Sequence, residues 1–428
     1  MPAPPHDNVR PVSREADLRF VAVAYAAFYC CLTLSAALAL PTAPAGCDRE
    51  IHDAKSAGPE CARSWFDSHL RLNEIQTAGT AESYKLRPSS TLLTLISMGS
   101  KADALQLDFG EPPIDQQLNL GARSLTFDIA FDPEGGLYEH PSGALMAGQF
   151  LEDNYIAVMS KPGFKVIHIL DIDFNSSCLT LNACLQSVAD WSRKNPDHLP
   201  LTIMLRTNDD RTPMPGATTP AKFTSTAFDA LDAQIRSVFH PDELITPDMV
   251  QAKFRTLREA VLAHNWPTLG ESRGKILFLL DDDPPKIALY RGTRHSLEGR
   301  AMFVATDDKS PAAAFVTVEN PLKDGAAIAK DVRAGLIVHT YSDADTKEAR
   351  AKNTARRDAA FASGAQIVST DFLVADPRIS PYQARVPGNR VAECETLMPP
   401  GKCSGLDTAL DETAPNPPLA PVKAPQSH

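Results

Sequence analysis

The sequence predicts an α/β protein built as a closed parallel barrel of eight β-then-α units. Three observations carry this. Eight short apolar runs recur along the chain, at Ile75–Thr80, Leu125–Phe131, Val166–Ile172, Leu201–Leu205, Ile276–Leu280, Met302–Ala305, Leu336–Thr340 and Ile367–Ser369. Longer segments with helical spacing of apolar residues separate several of them, for example Ala183–Ser192, Ala227–Val238, Arg255–Ala263 and Ala344–Ala362. Strands alternating with helices in this rhythm favour parallel pairing. No run is followed by Gly-x-Gly-x-x-Gly, which removes the main signal for the open, doubly wound alternative.

The chain divides into three parts. Residues 1–46 read as a signal segment and spacer: Phe20–Leu40 carries no charge, Arg10, Arg14 and Arg19 precede it, and Ala37-Leu38-Ala39 offers small residues for cleavage. An uncleaved membrane anchor is the alternative reading of the same run. Residues 47–404 hold the single barrel domain. Residues 405–428 are rich in proline and polar residues and are expected to be disordered. Export, and hence a secreted, extracellular location, agrees with the cysteines. Two of the eight lie in the signal, and six fall into sequence-local pairs: Cys47 with Cys61, Cys178 with Cys184, and Cys394 with Cys403. The formal net charge of −11, with the basic residues dispersed, argues against a nucleic-acid partner and against strong attraction to anionic membranes.

In a parallel barrel the site lies where strands end and loops begin. Those ends carry Glu82 after the first run, Asp128 in the second, His168, Asp171 and Asp173 in the third, and Arg206 in the fourth, then Asp281, His339, Tyr341, Asp343 and Asp371. One imidazole with several carboxylates suits proton transfer or a hard cation such as Ca²⁺ or Mg²⁺. Aspartates at such positions also cap the following helix. Side-chain alternation in SLTFDIAFD puts Asp128 on the small, polar face with Thr126 and Ala130, toward the barrel interior. The same logic groups Arg206 with Met204 and Asn208. An inward arginine is costly unless paired, and Asp128 is the evident partner. His168 and Asp171 have opposite parity, so they converge only if the chain turns after Leu170.

Beyond these local readings, the chain resembles the calcium-dependent phosphoinositide-specific phospholipase C family of secreted bacterial and fungal proteins. The resemblance rests on LRLNEIQTAGT, LNLGARSLTFDIAFDPEGGLYEHP, PGFKVIHILDIDF, WPTLGESRGKILFLLD and the SDADTKEARAKNTARRDAAFASGAQIVSTDF block. It implies a distorted TIM barrel of the phospholipase-C-like phosphodiesterase superfamily. It implies further a phosphoinositide or other phosphodiester ligand, transient contact with a membrane surface, and chemistry that uses two histidines and calcium. A monomer is expected. Where the family has Gly-Thr/Ser-His-Asn-Ser-Tyr, this chain reads Gly79-Thr80-Ala81-Glu82-Ser83-Tyr84. Ala81 replaces the first histidine and Glu82 the metal-binding asparagine. Thr126 replaces a glutamate ahead of the retained Asp128, Arg206 replaces a glutamate ligand, and the late Arg-Thr-Arg reads His339-Thr340-Tyr341. His168 keeps the second histidine.

The resemblance therefore predicts a phosphodiesterase homologue whose catalysis is lost or strongly reduced. Asp128, Asp171 and Asp173 could form at most a residual metal site, so calcium is expected to be absent or weakly bound. One alternative is an active enzyme using His168, with Glu82 as base and Arg206 in place of calcium. The other is a head-group binding module.

Overall fold

In the computed structural model, which describes residues 59–397, the barrel is formed by eight parallel strands. They are β1 (Ile75–Thr80), β2 (Ser124–Asp132), β4 (Leu201–Thr207), β5 (Ile276–Leu280), β6 (Met302–Val304), β7 (Phe315–Thr317), β8 (Ile337–Tyr341) and β9 (Ile367–Thr370). Two further strands run antiparallel: β3 (Gly163–Val166) on β2, and β10 (Ala392–Cys394) on β1. The lateral order is β6-β5-β4-β2-β1-β9-β8-β7, and a single bridge between Ala305 and Phe315 joins its two ends. The predicted residues 1–46 and 405–428 lie outside the described residues.

Seven of the eight predicted runs are barrel strands. The third is not. Val166–Ile172 has the composition of a buried strand, but strand structure ends at Val166, and Asp171 takes a positive φ of 67° with Ile169 bridged to Asp173. The missing barrel strand is β7. It has three residues inside AAAFVTV, a run too short for its periodicity to separate strand from helix.

The antiparallel insertion distorts the barrel at one place. β1 and β2 share only two register pairs, Gly79 with Ser124 and Thr80 with Leu125. Beyond them β2 pairs instead with β3, from Ile129–Val166 to Asp132–Gly163. The two strands therefore part toward their C-terminal ends, and the chain leaving β3 delivers His168 at that gap.

Helices surround the barrel and show why their sequences fold as they do. Leu181–Lys194 is capped by Thr180, whose hydroxyl accepts from Ala183 N. It buries Leu181, Cys184, Leu185 and Val188, the i, i+3, i+4, i+7 face of an amphipathic helix. A disulfide between Cys178 and Cys184 pins its first turn to the preceding loop. Cys61 and Cys394 are also in disulfides, and their predicted partners Cys47 and Cys403 lie outside the described residues. The predicted helix Ala344–Ala362 is two helices, Lys347–Ala351 and Ala355–Ala362, interrupted where Lys352 adopts a left-handed conformation. Among the described residues no helix is long and apolar enough to cross a membrane.

Gly79 marks the tightest approach between β1 and β2. A Cβ there would stand 2.0 Å from both the backbone oxygen and the hydroxyl of Ser124. Gly79→Ala is therefore expected to destabilise the barrel by about 3 kcal/mol, since a buried backbone must move to admit it. Urea unfolding that gives a loss below about 1 kcal/mol would contradict so close a contact.

Candidate functional site

The turn after β1 is held by a polar network. Ser83 Oγ lies 2.6 Å from Thr80 Oγ1 and accepts from Thr126 N at 2.8 Å, and Gln117 Nε2 donates to Ser83 O at 2.6 Å. These bonds fix the strand-to-loop corner and point Glu82 across the gap toward the segment following β3. There His168 sits between two carboxylates. Its Nε2 is 3.0 Å from Glu82 Oε1 and its Nδ1 is 2.9 Å from Asp173 Oδ2. Asp173 in turn accepts an ion pair at 3.2 Å from Lys85, whose side chain is wholly buried and also donates to the carbonyls of Leu107 and Phe109.

Burial works against charge on both His168 and Glu82, but their mutual attraction and hydrogen bond outweigh it. Asp173 adds to the effect on His168, and Lys85 and Arg206 add to that on Glu82. His168 is pushed up to about 10 and Glu82 is held down at about 2. At neutral pH they form an imidazolium–carboxylate pair.

The second part of the site follows from strand register. In the parallel pairing of β2 with β4, Asp128 stands beside Arg206, and neighbours in register project to the same side of the sheet. The guanidinium grips the carboxylate as a fork, Nε to Oδ1 at 2.6 Å and Nη2 to Oδ2 at 3.1 Å, and Nη2 also donates to Ala81 O at 3.3 Å. Tyr84 donates to Asp128 Oδ2 at 2.8 Å. Burial and the charge of Asp128 push the Tyr84 phenol well above its usual range, so it stays a donor. Both oxygens of Asp128 are therefore engaged. Thr126 Oγ1 is buried and has no hydrogen-bond partner among the described residues.

The remaining sequence-predicted residues divide by function. Asp171 accepts from Ser142 N, Thr218 N and Thr218 Oγ1, which makes it the centre of a turn rather than a member of the mouth. His339 lies deeper in the barrel. Its Nε2 meets Ser369 Oγ at 2.9 Å and its Nδ1 faces Asp281 at 3.5 Å, while its ring packs on Tyr341. Glu111 was not singled out by the sequence. It is buried, and burial together with Asp371, Asp343 and Glu82 pushes its carboxyl well above the usual range; the same surroundings raise Asp371. Among the described residues no group of three His, Cys, Asp or Glu side chains is arranged to hold a metal ion.

The pattern of the family described as "Phosphoinositide phospholipase C, Ca2+-dependent" matches residues 70–396. The chain belongs to this family. Solved structures of similar fold include a calcium-dependent phosphoinositol-specific phospholipase C from a Gram-negative Pseudomonas species, in an apo form and myoinositol complex. It is 16% identical, with 77% of this chain and 96% of that chain covered and a TM-score of 0.46. Another is a Ca²⁺-dependent phosphatidylinositol-specific phospholipase C from Streptomyces antibioticus, 14% identical, with 74% and 99% covered and a TM-score of 0.45. No curated protein matches the chain by sequence. In this chain the guanidinium of Arg206 reaches the backbone of Ala81, and Glu82 is the partner of His168.

Proposed function

We propose that this family member binds a phosphodiester head group at the barrel mouth without calcium, and that its phosphoinositide cleavage is lost or strongly reduced. The observation that supports this best is the Arg206–Asp128 fork. A cation site of the family's kind needs oxygen ligands with free lone pairs. Here the two oxygens of Asp128 accept from Arg206 and Tyr84, one oxygen of Glu82 pairs with His168, and the guanidinium and imidazolium beside these carboxylates repel a divalent cation, so the residues present do not fit calcium. A guanidinium supplies the positive charge instead. With 31% of its side chain accessible, and Nη1 without a protein partner among the described residues, Arg206 keeps donors for a phosphate oxygen.

Cleavage needs a group that takes a proton from the attacking hydroxyl. Ala81 offers none. His168 already carries its proton at neutral pH, and both of its ring nitrogens are engaged. Glu82, held at about 2, is a weak base. Phosphatidylinositol turnover is therefore expected at least about 100-fold below that of a member with both histidines. It should be unchanged between calcium and chelator. The test is release of inositol phosphate from phosphatidylinositol, and of products from glycerophosphodiesters, alongside calorimetry with glycerophosphoinositol. Binding that survives chelator without turnover is the expected result. Robust calcium-stimulated release would overturn the reading.

One observation favours a second reading, an active metal-independent phosphodiesterase. Glu82 Oε2 is buried without a hydrogen-bond partner among the described residues, and could accept a substrate proton. Chelator-insensitive turnover that His168→Ala abolishes would select it. Export is part of the same proposal, supported by the uncharged run Phe20–Leu40 and by the Cys178–Cys184 disulfide.

A further inference from the structure

Two carboxyls, those of Asp371 and Glu111, stand at the β1–β9 side of the mouth without a cation of their own. Ala81 N donates to Thr370 O at 2.9 Å, so Glu82 and Asp371 follow the ends of neighbouring strands. Glu111 N donates to Lys85 O at 2.9 Å, which brings the second carboxyl to the same corner. Asp343 lies behind them and is fully engaged. Its Oδ2 accepts from Ser342 Oγ, Thr370 Oγ1 and Tyr382 OH, and its Oδ1 from Asp371 N.

The two carboxyls lack donors. Asp371 is half-buried, and its carboxyl has no hydrogen-bond or ion-pair partner among the described residues. Glu111 is 3% exposed, and its Oε1 is buried without a hydrogen-bond partner among the described residues. An open acceptor at such depth is costly, and it marks a place where a donor comes from outside the chain. The neighbouring cations do not supply one. Lys85 has three N–H donors, and they face Leu107 O, Phe109 O and Asp173. His168 has Glu82 and Asp173 on its two nitrogens. The charged groups facing Asp371 are Asp343, Glu82, Lys85 and His168, and those facing Glu111 are Asp371, Asp343, Glu82 and Lys85. Burial, and then the carboxylates among these groups, hold both carboxyls well above their usual range, so each keeps its proton until a further cation arrives.

Ala81 links this corner to Arg206. Its N–H donates to Thr370 O, and its carbonyl accepts from Arg206 Nη2 at 3.3 Å. The guanidinium and the open carboxyls therefore lie to either side of one residue. A ligand that reaches both carries an anion and a cation joined by a short link. The open acceptors select the cation. A primary ammonium brings three N–H donors and a charge; a quaternary ammonium brings no donor, and an inositol ring brings no charge.

We infer that Asp371 and Glu111 determine specificity by receiving a primary ammonium, so that the preferred ligand is an aminoalkyl phosphodiester of the ethanolamine kind, with its phosphate on Arg206. This rests on the reading of the mouth as a phosphodiester site and narrows it to one class of head group. The test is calorimetry with glycerophosphoethanolamine, glycerophosphocholine and glycerophosphoinositol. The ethanolamine diester is expected to bind at least about tenfold more tightly than either of the others, the discrimination that a charged hydrogen bond supports. Its binding at neutral pH should release about one proton, read from two buffers of different ionisation enthalpy, because the carboxyl that meets the ammonium ionises. A short-chain phosphatidylethanolamine below its micellar concentration separates the sources: a further gain in affinity over the free diester assigns the ligand to lipid, and no gain assigns it to soluble diesters.

Asp371→Asn and Glu111→Gln, each with unchanged circular dichroism, should reduce the preference for ethanolamine over inositol at least about tenfold, and Asp371→Asn should also remove the proton release. Equal affinity for the ethanolamine and inositol diesters, tighter binding of the choline diester, or a preference that survives both substitutions would overturn the inference. A wild type that binds none of the three would instead count against the reading of the mouth.

Discussion

Arg206→Met is expected to cost about 3 kcal/mol of stability and to abolish phosphodiester binding. Removing one partner of a buried ion pair leaves the other charged and unpaired, which costs about 3–5 kcal/mol; solvent contact at Arg206 puts this case at the lower end. Asp128 would retain only the Tyr84 hydroxyl. The paired change Arg206→Met/Asp128→Leu should recover most of that loss, because neither charge then remains to be solvated. It should not recover ligand binding, since the cation is gone. Urea unfolding of the two variants beside the wild type, with calorimetry against glycerophosphoinositol, separates the two effects. If Arg206→Met unfolds within about 1 kcal/mol of the wild type, the fork is not a buried pair in solution. If it still binds the probe, Arg206 is not the anion's partner. The wild type itself should show no saturable calcium binding in the micromolar range.

Glu82→Gln carries the second large effect. In the folded protein His168 titrates near 10 and Glu82 near 2, against ordinary values of 6.5 and 4.5. The signs follow from linkage. A raised histidine stabilises the fold fully below its ordinary value and loses that contribution as pH rises through about 10. A lowered carboxyl stabilises the fold above its ordinary value and loses that contribution as pH falls through about 2. Their joint contribution is therefore complete between about 4.5 and 6.5. The two shifts report largely one contact, so they are counted once, on the order of 4 kcal/mol at about 1.4 kcal/mol per pKa unit. Glutamine keeps a hydrogen-bond acceptor but removes the charge. The acid dissociation constant of His168 should rise at least about tenfold, bringing its pKa toward the ordinary range yet leaving it above, because Asp173 still accepts from Nδ1. NMR titration of the imidazole reads this directly. An unchanged His168 titration would mean that Asp173 alone sets its charge.

Much of this arrangement was legible in the sequence, for identifiable reasons. Alternation along SLTFDIAFD and LTIMLRTND put Asp128 and Arg206 on one face, and the β2–β4 register then set them side by side. Alternation is a two-residue period, so a strand with one side facing the barrel interior declares its inward residues. The parity conflict between His168 and Asp171 also pointed to a turn, which the positive φ of Asp171 supplies. What the sequence could not show was which carboxylate that turn would deliver: His168 meets Asp173, while Asp171 holds the neighbouring loop. Nor did it reveal the break between β1 and β2. The residues of the third run are as apolar as those of a barrel strand, and only the competition of β3 for the edge of β2 turns them away. Lys85 escaped notice because a lysine is ordinarily a surface residue. Its burial depends on two carbonyls and a carboxylate contributed by distant parts of the chain.

Glu82, His168, Asp173 and Lys85 alternate in sign along one line of contacts, and Asp128 with Arg206 adds a second balanced couple. Three negative and three positive groups cancel within the mouth. Seen from a distance, the entrance projects little field of its own, and the surrounding chain of net charge −11 is repulsive to an anion. On the proposed reading of the mouth, a phosphodiester would therefore not be steered in from solution, and its capture would depend on short-range contact with Arg206 after arrival. Added salt, which slows association wherever opposite charges attract, should here leave the on-rate level or raise it modestly, because screening removes a repulsion.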